Sequence, residues 1–215
     1  MSHERFLRAR RPEHKQQRRE AILSAARELA TASGVRGVTL GEIAEAVGLA
    51  KSNVVRYFGT REEIFLQLTA DCWREWATEA VARLKAGEDV VDVLSGTLVD
   101  RPLFGDLLSQ MACNLEQNVT TSAAAAFKDT TLSIVREVTA AVARSRPDLT
   151  DDEAFELTAA STLFAGALYP AANPPPALAE VYESNPELTA MRVSFPNAMR
   201  RVLTVLIAGF PAARG

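Results

Sequence analysis

Within residues 39–63, TLGEIAEAVGLAKSNVVRYFGTREE, the chain starts a helix, stops it, starts another, stops that and starts a third. Thr39 and Glu42 have the S/T-x-x-E spacing of a capping box, in which hydroxyl and carboxylate each satisfy an orphan backbone donor. Ile43, Ala44 and Val47 then give one apolar face at turn spacing, and Gly48 supplies the left-handed residue that ends a helix. From Lys51 to Phe58 the polar residues stand in front, and Val54 and Phe58 recur one turn apart behind. Thr60 and Glu63 repeat the capping-box spacing. Signals this dense exclude a strand and exclude one continuous helix. They predict two short helices joined by a tight turn, with a third helix beginning at once.

The second short helix opens on Lys51, Ser52 and Asn53, a cation followed by small polar side chains. A helix-turn-helix unit sets this end of its recognition helix against base edges. Lys51, Ser52 and Asn53 are therefore expected to face the major groove, with Arg56 near bases or phosphate and with Val54 and Phe58 buried. Thr39 and Arg61 stand at helix N-termini, where backbone donors and the dipole favour phosphate. A preceding helix is expected over about Arg18–Thr31, with Ile22, Ala25, Ala26 and Leu29 on its apolar stripe and Gly34 at its end.

The stretch from Arg18 to Phe65, RREAILSAARELATASGVRGVTLGEIAEAVGLAKSNVVRYFGTREEIF, resembles the TetR family of bacterial repressors over about a quarter of the chain. The shared features are the first helix, the Gly-containing turn, Thr at the cap of the second helix and a short recognition helix. That helix ends in an aromatic-Phe pair followed by Gly, Thr, a basic residue and Glu-Glu, here Tyr57 to Glu63. Two positions depart from the family pattern. Ala50 stands where a capping Ser or Thr is usual, and Val55 where an aromatic, often a phosphate-contacting Tyr, is usual. The resemblance implies that Tyr57 contacts phosphate. It also implies a body that binds a small molecule and dimerises through its last two long helices.

Charge divides the same way. Residues 1–60 hold 11 Lys/Arg against 6 Asp/Glu, and residues 61–215 hold 13 against 21, within a net charge of −3. A basic head on an acidic body suits a nucleic-acid-binding module joined to a domain that does not bind nucleic acid. Residues 1–16 read as a poorly ordered arm, with Arg5, Arg8, Arg10, Arg11 and Lys15 too dense for a core and Pro12 interrupting any helix. Entry into a minor groove and a merely solvated tail stand as equal readings of it. No apolar run is long enough to cross a bilayer, and the first residues lack the apolar core of a secretory signal, so a cytoplasmic location is expected. Cys72 and Cys113 read as small buried apolar residues. His3 and His14 both lie in the arm. The chain has no His-Cys-carboxylate cluster, no Gly-rich phosphate loop and no nucleophile beside a base. Asp151, Asp152 and Glu153 read as a helix start. No metal, cofactor or enzymatic activity is expected.

Beyond residue 60, helices are expected over 61–85, 89–98, 103–118, 122–144, 150–169 and from Pro196 to the end, with the Pro-rich segment 170–188 irregular apart from a short helix over 176–183. No alternating strand pattern appears. The expected fold is all-α: a three-helix head in residues 1–60, arm included, and a helical regulatory domain in residues 61–215. An apolar pocket is expected among the helices 61–85, 103–118 and 122–144, with Trp73, Trp76, Phe104, Leu107, Met111, Asn114 and Phe127 as candidates, each equally open to being plain core. No basic residue lies on these stripes, which favours a neutral or weakly polar ligand. The helix 150–169 is rich in small residues and carries Phe155, Leu163 and Phe164. With the apolar stripe of the last helix, 196–210, it suits a homodimer built as a four-helix interface, the alternative being packing within its own body. The function expected is a ligand-responsive, sequence-specific transcriptional regulator, a repressor released from a palindromic operator by a small apolar molecule. The rivals are a helical lipid or small-molecule carrier whose basic head binds membranes, and an architectural DNA binder without a ligand.

Overall fold

A computed structural model describes residues 3–214, with side chains from His14 onward except at Ala112. Its elements are α1 (His3–Ser33), α2 (Leu40–Ala46), α3 (Lys51–Phe58), α4 (Arg61–Lys85), α5 (Val90–Val99), α6 (Pro102–Gln110), α7 (Thr121–Ser145), α8 (Asp151–Ala172), α9 (Pro176–Ser184), α10 (Pro186–Thr189) and α11 (Phe195–Ala213). A 3-10 turn, Val35–Gly37, follows α1, and a π turn, Met111–Leu115, follows α6. No strand occurs among the described residues, so the fold is all-α.

The head is α1, α2 and α3 with the first turns of α4. Ile22, Ile43, Val54 and Ile64 are fully buried at its centre. Each such side chain is worth ~1.5–3 kcal/mol against exposure. Gly34 ends α1 at φ 79°, Gly48 ends α2 at φ 64° and Gly59 ends α3 at φ 76°, conformations that a Cβ disfavours. The Thr39–Glu42 capping box forms in full. Ala50 caps α3 without any side-chain bond, as its lack of a hydroxyl dictates.

Three long helices, α4, α7 and α8, form the frame of the body, with α6, α11 and α5 also packed on α8. Two glycines set how closely α6 meets α8. A Cβ at Gly105 would stand 2.6 Å from the Tyr169 ring, and one at Gly166 would stand 3.1 Å from the Leu108 carbonyl. Arg214, at the end of α11, donates to both Glu153 oxygens at the start of α8. That guanidinium, aided by the Thr150 N–H, holds the Glu153 carboxyl down at about 2.

Several expectations are corrected. The segment read as a loose arm is the start of α1, which runs through Pro12. Good helix formers dominate around it, and the proline removes a single backbone donor. The side chains of Arg5, Arg8, Arg10 and Arg11 lie outside the described residues, as does His3. The helix expected over 103–118 is cut at Gln110 by the π turn, where the Glu116 N–H donates to the Met111 carbonyl at 3.2 Å. Helix α8 continues past Tyr169 through Pro170, because that proline falls in its last turn. Cys113 is exposed on the π turn, whereas Cys72 is buried and its thiol is pushed up to about 11 by that burial.

Candidate functional site

One end of the head gathers the polar residues of α3. Lys51, Ser52 and Arg56 are exposed, and Asn53 and Tyr57 are half-buried. Their arrangement follows from the burial of Val54 and Phe58, which fixes the rotation of α3 and turns these side chains outward. Asn53, Arg56 and Tyr57 line an open cleft of about 660 Å³ whose far wall is α1. His14, Lys15 and Arg18 form that wall. The sequence reading did not pair these three with α3. Once α1 extends N-terminally, the signal is visible: positions 14, 15 and 18 share one helix face. Lys51 lies over α2, where a Cβ at Gly41 would stand 2.7 Å from Lys51 Cε. The missing side chain at Gly41 makes room for the lysine stem.

Thr39 and Arg61 are placed differently. Thr39 is exposed, but its hydroxyl donates to Glu42 Oε2 at 2.8 Å within the capping box. Its backbone N–H and hydroxyl hold the Glu42 carboxylate below its usual range. Arg61 turns inward. Its Nε donates to the Val38 carbonyl and its Nη2 to the Val35 carbonyl, and its guanidinium lies 4.6 Å from the Phe65 ring centroid. The carbonyls of Val35, which opens the 3-10 turn, and Val38, which follows it, need donors, and Arg61 supplies them. Arg19 acts likewise on the Tyr57 carbonyl, with its guanidinium 4.0 Å above Phe58. The structure thus gives Arg61 a role inside the head and turns its donors away from the exposed face.

The body holds a second cleft, of about 410 Å³, bordered by α4, α6, the π turn, α7 and α8. Of the residues expected there, Trp73, Met111 and Phe127 line it. Trp76, Phe104 and Leu107 do not: they are at most 1% exposed and form solid core. Trp76 Nε1 donates to Thr97 Oγ1 at 2.9 Å, and Phe104 stacks edge-on against Trp73 with centroids 5.4 Å apart. Asn114 is exposed and donates to Gln110 Oε1 at 2.6 Å. The π turn rotates it off the 104–107–111 stripe, because i→i+5 bonding inserts an extra residue into the turn.

Helix α8 also borders this cleft, through Thr162, Leu163, Gly166 and Ala167. The sequence reading used that helix for dimerisation alone. The expectation of a wall free of basic residues is corrected too. Lys128 stands in the cleft wall, paired with Glu116 at 2.5 Å. One α7 turn further, Thr131 Oγ1 is buried with no hydrogen-bond partner. Burial of an unpaired hydroxyl is costly.

Two connections join this cleft to the head. Asp106 Oδ2 on α6 accepts from the Val35 N–H at 2.7 Å, and its near neighbours Leu108 and Ser109 border the cleft. The Glu63 carboxylate was expected to close a capping box on Thr60. It instead accepts from the Thr120 N–H at 3.0 Å and from the Thr120 hydroxyl at 2.8 Å. The Thr60 hydroxyl caps Glu63 N and donates to the Asn118 carbonyl at 2.9 Å. The start of α4 is therefore tied to the segment that leaves the π turn.

Among the described residues no group of His, Cys, Asp and Glu could hold a metal, and no helix is long and apolar enough to cross a membrane. The outer face of α8 and α11 exposes Phe155, Leu163, Phe164 and Val205, with Leu163 72% accessible.

A family model described as the tetracyclin repressor-like C-terminal domain matches residues 70–214. A second, described as bacterial regulatory proteins of the tetR family, matches residues 22–68. No protein of curated function matches the sequence. Among solved structures, Thermus thermophilus FadR, a TetR family transcriptional repressor in complex with lauroyl-CoA, aligns with a TM-score of 0.58 at 19% identity, over 89% of this chain and 94% of its own. A possible TetR family transcriptional regulator from Streptomyces coelicolor A3(2) aligns with a TM-score of 0.60 at 16% identity, over 91% and 99%. RolR in complex with resorcinol aligns with a TM-score of 0.56 at 16% identity, over 89% of each chain. At these identities the likeness is one of fold.

Proposed function

The chain belongs to the TetR family of bacterial regulatory proteins, and from that premise we propose that it is a homodimeric repressor released from a palindromic operator by a small molecule bound in the body cleft. Lys51, Ser52, Asn53 and Arg56 read base edges, with Tyr57, Lys15 and Arg18 on the flanking phosphates. Thr39 and Arg61 leave this set, because their donors are engaged within the head. Two copies meet through the exposed apolar face of α8 and α11, which spaces two heads over successive major-groove half-sites.

The observation that carries the reading is the continuity between cleft and head. Helix α6 borders the cleft at Leu108 and holds the head at Asp106, two residues away. The π-turn segment borders it at Met111 and Glu116 and holds the head at Asn118 and Thr120. An occupant that prefers one arrangement of these walls shifts the spacing of the heads, since only differential affinity moves such a population. The cleft's volume of about 410 Å³ suits a small molecule. FadR with lauroyl-CoA and RolR with resorcinol supply two chemistries for first trials.

The test is a footprint on DNA flanking the protein's own gene, repeated with such molecules. A protected palindrome that is lost on adding one of them supports the reading. Protection without sequence preference, or protection that no occupant of the cleft alters, counts against it.

A further inference from the structure

We infer that the molecule taken up by the body cleft is an anionic amphiphile whose charged group replaces Glu116 on Lys128. The inference rests on reading this cleft as the effector site and adds the chemical class of the ligand. The apolar walls, Trp73, Met111 and Phe127, receive a hydrocarbon body. The polar end is set by Lys128 on α7, the one cation among the described residues that line the cleft.

Lys128 is at present neutralised by Glu116, at 2.5 Å, with the lysine side chain 63% exposed. Exposed pairs of this kind contribute little and exchange readily. A ligand carboxylate keeps the charge on Lys128 matched while its own tail fills the cleft, and Glu116 returns to water. A neutral ligand leaves the Lys128–Glu116 pair in place. Replacement of Glu116 also has a consequence at the head. Glu116 lies on the segment whose Asn118 and Thr120 hold Thr60 and Glu63, so ligand charge acts on the tie to the DNA-reading unit.

Octanoate and 1-octanol are matched probes, equal in chain length and different in charge. Binding to the full-length protein is followed by tryptophan fluorescence, which reports on Trp73 in the cleft wall. Octanoate is expected to bind about tenfold more tightly than octanol, the scale of one charge-assisted hydrogen bond. Lys128→Met is expected to bring the two affinities together. Glu116→Gln, which removes the competing carboxylate, is expected to strengthen octanoate binding and leave octanol binding as it was. That increase separates the proposal from general damage to the fold, and thermal melting checks each variant. Equal binding of both probes to the natural sequence, or a preference that survives Lys128→Met, overturns the inference while leaving an apolar site. Binding of neither probe removes the cleft as effector site and the inference with it.

Discussion

The head and the body use charge in opposite ways. In the head, each inward-turned guanidinium meets a fixed backbone group: Arg19 the Tyr57 carbonyl, and Arg61 the Val35 and Val38 carbonyls. What remains outside is a polar face held rigidly by a satisfied interior. In the body, Thr131 keeps a buried hydroxyl without a partner, and Lys128 sits at the cleft in an exposed pair. A region that reads a fixed partner such as DNA benefits from preorganisation. A region that responds to a ligand needs groups whose partners can change. The same residue types therefore carry different meaning in the two halves.

The sharpest way to break this comparison is at the body's solid core. Trp76→Ala is expected to cost ~3–5 kcal/mol of stability in urea unfolding, the cost of emptying a packed aromatic site. A loss under ~1 kcal/mol would mean that Trp76 borders the cavity after all. At the reading face, Asn53→Ala is expected to cost ~1–3 kcal/mol of operator affinity and to relax preference at one base position. Unchanged affinity and preference would remove Asn53 as a base reader.

Two arginines test the inward–outward division within the head. Arg18→Ala, at an exposed phosphate contact on α1, is expected to lower the slope of log affinity against log salt by about 0.9. Arg61→Ala is expected to lower the melting temperature and leave that slope unchanged. The reverse pattern would return Arg61 to the DNA face.

The smallest expected effect concerns the bridge that closes α11 on α8. The folded Glu153 value is depressed, from its usual ~4.3 to about 2. Its contribution to stability is therefore complete above the higher value and lost as pH falls toward the lower one. The melting-temperature difference between the natural sequence and Arg214→Ala is expected to be widest above pH ~4.3 and to vanish near pH 2. A difference constant across that window would mean that the bridge does not perturb Glu153.

The head was legible because its rules are local. Capping boxes, end glycines and i,i+4 apolar pairs act within one turn, and Thr39–Glu42, Val54 and Phe58 stand where those rules set them. The body was legible only as helices. Glu63 has the spacing to cap Thr60, yet its carboxylate goes to Thr120, a residue 57 positions away that no local rule includes. Asn114 continues a helical stripe on paper and leaves it in space, because a π turn has no composition signal and shifts every later position. Lys128 sits beside Phe127 in sequence. That it borders a cleft depends on α8, which arrives from more than thirty residues further on. Trp76 and Phe104 had the right chemistry for a pocket, but only packing separates core from lining.

The central claim is that the cleft controls the head through Asp106–Val35 and Glu63–Thr120. It is tested most directly by amide hydrogen exchange at Val35 and Thr120, whose N–H groups donate across the junction. The measurement is made with and without a molecule that releases the operator. The account predicts faster exchange at both amides when the cleft is occupied, in parallel with loss of operator affinity. Operator release with both amides as protected as before would contradict it.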